Sequence, residues 1–292
     1  MILLKLRGFG MELNKNNFLK ENSFSFNSLN SGKNILILCG VHGNELTGIK
    51  TFDYFKKQNL IIQNGKVTFL LSNKKAIELN CRYVEENLNR CFLLNKNKTG
   101  TYEEIIVEII KEIMQDYNIC LDLHNSTSKN SESFIICEEN ASKYVKNFPC
   151  EKIIQGFDRL EPGGTDYYMN LIGKIGICVE CGSINNKNSI NFTKKLINAL
   201  LINTKNINIT DLKKLNNNLE RFELSFVYIP KHKFLSNNFF SDFQEVNKNE
   251  LIGLDGNKKV LAPFKGYILF ASNILKDNVK EDEAFLLLKK LN

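Results

Sequence analysis

Continuous apolar runs alternate with amphipathic stretches over the first two thirds of the chain. Residues 34–39 (NILILC) are apolar almost throughout and stop at Gly40, the pattern of a strand buried on both faces of a sheet. In residues 44–55, Leu46, Ile49 and Phe52 recur every third position and predict a helix. Residues 66–72 (KVTFLLS) predict a second strand, after which a polar connection carries Arg82, Asn89 and Arg90. Thr101 and Glu104 match a capping box, and Ile105, Ile106, Ile109, Ile110 and Ile113 give the helix behind it one apolar face. Strands at 118–123, 133–137 and 175–181, with a helix over 188–203, complete an alternation that predicts an α/β sandwich.

Residues 204–220 are polar and rich in Asn and Lys, and the pattern beyond them changes to short β-like runs at 222–229, 260–262 and 266–271. The expected organisation is an N-terminal segment, 1–33, with few periodic signals, an α/β domain over 34–206 and a small β domain over 219–292.

With 292 residues, 43% hydrophobic and 24% charged, the chain can bury a full core. No apolar run approaches the roughly 20 residues of a membrane helix, and the opening apolar stretch is too short for a signal-peptide core, so the cytoplasm is the expected compartment and no membrane partner is expected. The net charge of +7 comes from lysines interspersed with acidic residues, which reads as solvated surface with no nucleic-acid partner. Eight cysteines lie scattered through hydrophobic runs, as expected of reduced, buried thiols. Cys178 and Cys181 form a C-x-x-C, but no second Cys or His pair has matching spacing and both fall in a strand-like run.

His42 and Glu45 stand three apart directly after the first buried strand, where both can reach one metal ion. An isolated H-x-x-E equally describes a helix N-terminus whose carboxylate favours the dipole. His124, one of only three histidines, ends another buried run, behind an Asp122 that by itself reads as a turn residue. Together the three make a His₂Glu set, the ligand type of catalytic zinc sites that leave a position for water. Glu180 ends a third apolar run, and a buried carboxylate needs a partner such as a metal-activated water. Ligands of open α/β sheets gather beyond the carboxyl ends of strands, so these three strand ends favour one shared site.

Four blocks in order, residues 40–48 (GVHGNELTG), Arg82-Tyr83 with 88–92 (LNRCF), 122–128 (DLHNSTS) and 179–182 (VECG), resemble the aspartoacylase and succinylglutamate desuccinylase family of zinc carboxypeptidase-like hydrolases. Ala262-Pro263-Phe264 and Glu283-Ala284-Phe285 look like that family's C-terminal β domain. The resemblance implies a carboxypeptidase-like mixed-sheet α/β sandwich with a small C-terminal β domain. It implies one Zn²⁺ per chain on His42, Glu45 and His124, Glu180 as general base for the attacking water, and Arg82 polarising the scissile carbonyl. Asn89 and Arg90 would clamp a substrate carboxylate. The implied reaction is hydrolysis of the amide of an N-acylated amino acid or related small carboxylate.

Two departures bear on the substrate. Asn87 stands where the family usually has Asp before Leu-Asn-Arg, which removes a carboxylate expected to steady Arg90. Asn170 stands where the aspartoacylase branch carries an arginine for a second substrate carboxylate, and Arg159 is nearby but out of register. A metallocarboxypeptidase trimming peptides or peptidoglycan stems would use the same metal and base. A non-catalytic zinc- or ligand-binding protein would need neither Glu180 nor Arg82. The acyl group, the amino acid and the oligomeric state stay open.

Overall fold

The computed structural model describes residues 14–94, 99–126, 131–184, 188–208, 219–275 and 283–291. Thr127 and Ser128 of the third sequence block, the first 13 residues and most of the polar connection after residue 208 lie outside these. The N-terminal half runs α1 (Lys15–Asn22), β1 (Ser23–Asn27), β2 (Asn34–Cys39), α2 (Leu46–Lys56), β3 (Lys66–Leu71), α3 (Lys74–Glu78), α4 (Tyr102–Met114) and β4 (Ile119–Ser126). It continues with β5 (Ser133–Ile136), β6 (Lys152–Gln155), α5 (Phe157–Leu160), α6 (Thr165–Leu171), β7 (Ile175–Ser183) and α7 (Ser189–Asn203). The remainder is all β: β8 (Glu220–Tyr228), β9 (Phe234–Ser236), β10 (Gln244–Val246), β11 (Leu251–Asp255), β12 (Lys258–Leu261), β13 (Gly266–Leu269) and β14 (Phe285–Lys290).

One mixed sheet runs β1-β3-β2-β4-β7-β5-β6-β8-β14-β13-β10, and a second, small one runs β12-β11-β9. Its centre is the parallel trio β2, β4 and β7, with Cys39 paired to Leu123 and His124 to Glu180. Alternate residues of these strands enter different cores, because side chains of a strand point to opposite faces. Ile35, Ile37 and Cys39 pack with Phe52 of α2 and Leu200 of α7, whereas Leu36 and Leu38 pack with Ile106 and Ile110 of α4. Helices on both faces account for the unbroken apolar run of β2.

The same alternation disposes of the C-x-x-C. A spacing of three along a strand puts Cys178 and Cys181 on opposite faces, and they belong to different core clusters.

The capping box at the start of α4 is formed, Thr101 accepting from the Glu104 N–H while the Glu104 carboxylate accepts from the Thr101 N–H. Two elements of the N-terminal segment went unread. α1 is polar on nearly all sides, and its first turn is fixed by the Asn14 side chain accepting from the Asn17 N–H. β1 lies at the edge of the sheet, antiparallel to β3, and seats Phe24 against Phe69 with ring centroids 5.0 Å apart. The β segment after residue 219 is continuous with the main sheet, because β8 pairs in parallel with β6. Among the described residues no helix is long and apolar enough to cross a membrane.

Candidate metal centre and active-site cavity

β2 ends at Gly40, whose φ of +68° turns the chain into a left-handed conformation that favours glycine. Three residues on, a Cβ at Gly43 would lie 2.1 Å from the Ala76 carbonyl carbon, so only glycine fits between the turn and α3. This tight passage delivers His42 and Glu45 to the end of the sheet. Glu45 occupies the N-cap position of α2 but makes no capping hydrogen bond. Its carboxylate is turned instead toward the two histidines.

Glu45 Oε1 lies 2.7 Å from His42 Nδ1, and Oε2 lies 2.9 Å from His124 Nδ1. The Arg82 guanidinium donates to Oε1 at 2.9 Å and the Asn125 N–H to Oε2 at 3.0 Å. The ligand-type atoms of His42, Glu45 and His124 all fall within 4.8 Å of one another, and all three residues are buried. This is the one such group among the described residues.

The far side of each imidazole is also held. His42 Nε2 is 2.9 Å from Asn87 Oδ1, and His124 Nε2 is 2.9 Å from Asp122 Oδ2. Asp122 is two residues before His124 on β4, hence on the same face, and its carboxylate accepts from the Thr165 hydroxyl at 2.6 Å. Asp122 is thus a supporting acceptor for His124 and not a turn residue. Ring nitrogens facing one point, with outer nitrogens held by oxygen acceptors, is the arrangement of metal-ligating histidines. Two imidazoles and a carboxylate fit Zn²⁺.

Electrostatics in the cluster follow from the same contacts. Burial opposes the imidazolium of His124, but Asp122 and Glu45 outweigh it and hold its pKa well above the ordinary value. At His42 burial prevails, with Arg82 acting in the same direction, and the pKa falls. Burial would raise the Glu45 carboxyl, yet the two histidines bring it well below the usual range.

Asn87 Oδ1 serves His42 and also accepts from the Asn89 N–H at 3.0 Å, capping the turn over Leu88–Arg90, so the amide does not leave Arg90 loose as the sequence suggested. The guanidinium of Arg90 is held elsewhere, its Nη2 lying 2.7 Å from Glu161 Oε2 and 2.9 Å from Glu283 Oε2. Asn87 itself is presented by a loop that a buried acid organises: Glu103 of α4 accepts from the N–H groups of Val84, Glu85 and Glu86.

A cavity of about 290 Å³ opens beside the cluster. His42, Glu45, His124, Glu180, Arg82, Asn89 and Arg90 all line it, so the seven residues singled out from the sequence share one site. Glu180 is 7% exposed, and its Oε2 has no hydrogen-bond partner among the described residues. Burial pushes its carboxyl up to about 8, His124 pulling it down and Glu45 and Asp242 raising it. Asn89 places its amide nitrogen 3.5 Å from His124 Nε2. Asn170 and Arg159 do not line the cavity: Asn170 donates to Asp158, and Arg159 pairs with Glu223.

A model of the succinylglutamate desuccinylase/aspartoacylase catalytic domain matches residues 31–203, more than half of the chain. The chain belongs to this family. Among curated relatives, a probable aspartoacylase of a Nostoc species is 26% identical over 217 residues, covering 68% of this chain and 72% of the relative. A probable aspartoacylase of Prochlorococcus marinus is 34% identical over 116 residues, covering 37% and 39%. The chain thus spans under half the length of that second relative. Among solved structures, a succinylglutamate desuccinylase from Vibrio parahaemolyticus superposes with a TM-score of 0.74 at 18% identity, covering 93% of this chain and 86% of that one. A succinylglutamate desuccinylase/aspartoacylase from Rhodobacter sphaeroides gives 0.70 at 16%, covering 92% and 89%. These likenesses establish the family's fold over most of the described chain, the carboxypeptidase-like α/β sandwich expected from the sequence.

Three contributors to the site escaped the sequence reading. Glu161 just beyond α5 and Asp166 in the first turn of α6 sit in short segments with no periodic signal, and Glu283 was read only as part of a β-domain motif. The available signal was charge, since each is an acidic residue beside apolar or glycine positions.

Proposed function

We propose that this chain is a zinc-dependent amidohydrolase that removes the acyl group from an N-acylated amino acid or related small carboxylate. The observation that carries the reading is the His42–Glu45–His124 cluster in the same cavity as the bare Oε2 of Glu180.

His42, Glu45 and His124 would hold the ion. When bound, Zn²⁺ supplies a Lewis acid that activates water near neutral pH. Glu180 then has two proton tasks. It takes a proton from the water that adds to the amide carbon, and it returns that proton to the nitrogen as the C–N bond breaks. The products are an acyl carboxylate and a free amine. A carboxyl with raised proton affinity suits both tasks. Arg82, anchored on Glu45, places fixed positive charge in the cavity for the developing oxyanion.

Asn89 and Arg90 would receive the substrate carboxylate. The Nη2 of Arg90 already serves Glu161 and Glu283, so an arriving carboxylate shares the guanidinium with them or displaces one. Burial pushes Glu161 up to about 7, with Arg90 opposing and Glu283 adding to the rise.

A hydrolysis screen of the zinc-loaded protein against N-acylated amino acids tests the reading. Release of an acid and an amino acid from at least one substrate is expected. Cleavage of C-terminal peptide bonds with no deacylation would overturn it in favour of a carboxypeptidase.

A further inference from the structure

Beside Glu180 the cavity turns apolar. Cys178 stands two residues before Glu180 on β7, hence on the same face, and Ile136 of β5 is paired opposite Cys178. Phe134, opposite Glu180 in the same register, is fully buried, and its ring centroid lies 5.9 Å from that of Phe270. Ile136, Cys178, Phe157 and Phe270 belong to one apolar cluster, and all four line the cavity. Ile274 joins the lining from the C-terminal β segment, fixed by two backbone hydrogen bonds to Phe234.

Phe270, the first residue after β13, is held in a strained backbone. Its φ of +54° is a left-handed conformation that bulky residues rarely adopt and that persists only where the surroundings impose it. Its N–H donates to Asp242 Oδ1 at 2.9 Å, and Asp242 Oδ2 accepts from the Ser126 hydroxyl at 2.9 Å. Ser126 ends β4 two residues after His124, so the bend that presents Phe270 is tied to the strand that presents His124. Strain of this kind clusters at active sites and ligand clamps. Phe157, Phe270 and Ile274 are each half-buried, leaving apolar surface that a hydrocarbon group would remove from water.

A second substrate carboxylate finds no matching cation. Arg82 and Arg90 are the only Arg or Lys side chains lining the cavity among the described residues, and Arg82 is already on Glu45. We infer that the substrate carries an uncharged hydrocarbon group, on its acyl part or on its amino acid side chain, which packs against Phe270, Phe157, Ile136 and Ile274. The inference rests on the amidohydrolase reading for the reaction, but not for binding. Phe270 is then a specificity-determining residue, and the substrate is a monocarboxylate beyond its amide.

The test titrates the zinc-loaded protein calorimetrically with leucine, alanine and aspartate, and with pentanoate, acetate and succinate. Hydrolysis of Nα-acetyl-leucine, Nα-pentanoyl-alanine and Nα-acetylaspartate is measured alongside. Leucine and pentanoate each add three carbons to alanine and acetate, and the group that reaches the wall should tighten binding roughly 10- to 50-fold. Preference for leucine assigns the wall to the amino acid side chain and preference for pentanoate to the acyl group, and either supports the inference. Phe270→Gly, which also releases the left-handed backbone, should bring the preferred ratio toward one. Phe157→Ser should narrow it in a second variant that keeps Phe270. Equal binding within both pairs, the dicarboxylate tightest in both sets, or a ratio unchanged in both variants overturns the inference. Selective binding of the hydrocarbon ligand with no hydrolysis of any derivative supports it and sinks the amidohydrolase reading. Hydrolysis of all three derivatives at one efficiency without selective binding does the reverse.

Discussion

Asn87 Oδ1 lies 2.9 Å from His42 Nε2, on the side of the ring away from Glu45. The equivalent position around His124 is filled by a carboxylate, Asp122. The two histidines of the cluster are therefore held by acceptors of different charge, and the weaker is on His42. Removing an outer acceptor of this kind typically lowers metal affinity roughly 10- to 100-fold. Asn87→Ala should show that loss in a zinc competition titration with a chelator, while Asn87→Asp should bind zinc more tightly than the wild type by raising the basicity of His42. Unchanged affinity in Asn87→Ala would remove Asn87 from the support of the site.

Glu180→Gln keeps the shape of the side chain and abolishes the base. Zinc content should be retained, and the rate should fall by about 10² to 10⁴, the usual contribution of positioned proton transfer. Turnover near the wild-type rate would assign the base to another residue.

Arg90→Lys keeps a charge but loses the planar fork that would serve the substrate carboxylate beside the Nη2 contacts to Glu161 and Glu283. KM should rise with zinc content unchanged. Converting the substrate carboxylate to an amide should lower kcat/KM by roughly 10- to 100-fold, the worth of one charge-assisted contact. Equal kcat/KM for a matched acid and amide would refute the clamp.

The C-terminal β segment carries its own charged anchor. Asp255 accepts from the His232 N–H at 2.7 Å, the Lys231 N–H at 3.0 Å and the Tyr228 hydroxyl at 3.0 Å. Burial would raise its pKa, but these donors outweigh it and hold it below the ordinary carboxylate value. The unfolded chain then binds this proton more readily than the folded one. The resulting stability is full above the ordinary carboxylate pKa and is lost as the pH falls through the lower folded value. Asp255→Asn should cost about 1 kcal/mol near pH 7, and the gap to wild type should close below about pH 4. Denaturant unfolding at both pH values measures it, and a gap independent of pH would contradict the account.

How much of this was legible in the sequence depended on where each signal came from. The three central strands were legible because burial on both faces leaves unbroken apolar runs, as in β2 and β7. The meeting of His42, Glu45 and His124 followed, since His42, His124 and Glu180 lie at the carboxyl ends of three parallel neighbours. α1 was not legible, because its buried contacts rest on Phe18 and Asn22 within an otherwise polar helix. The roles of Asn87 and Asp122 could not be read because hydrogen bonding to an imidazole leaves no periodic trace. The setting of Arg90 was hidden for a further reason: Glu161 and Glu283 meet on its guanidinium only through tertiary structure.

The central claim is that a metal on His42, Glu45 and His124 is required for amide hydrolysis. Its most direct test is the rate of deacylation as zinc is titrated into chelator-stripped protein. The rate should rise from near zero and level off at about one zinc per chain, the occupancy of a single tetrahedral site with three protein ligands. His124→Ala should show neither the rise nor retained zinc at the same concentrations. Full activity in the stripped protein, or zinc binding undiminished in His124→Ala, would contradict the account.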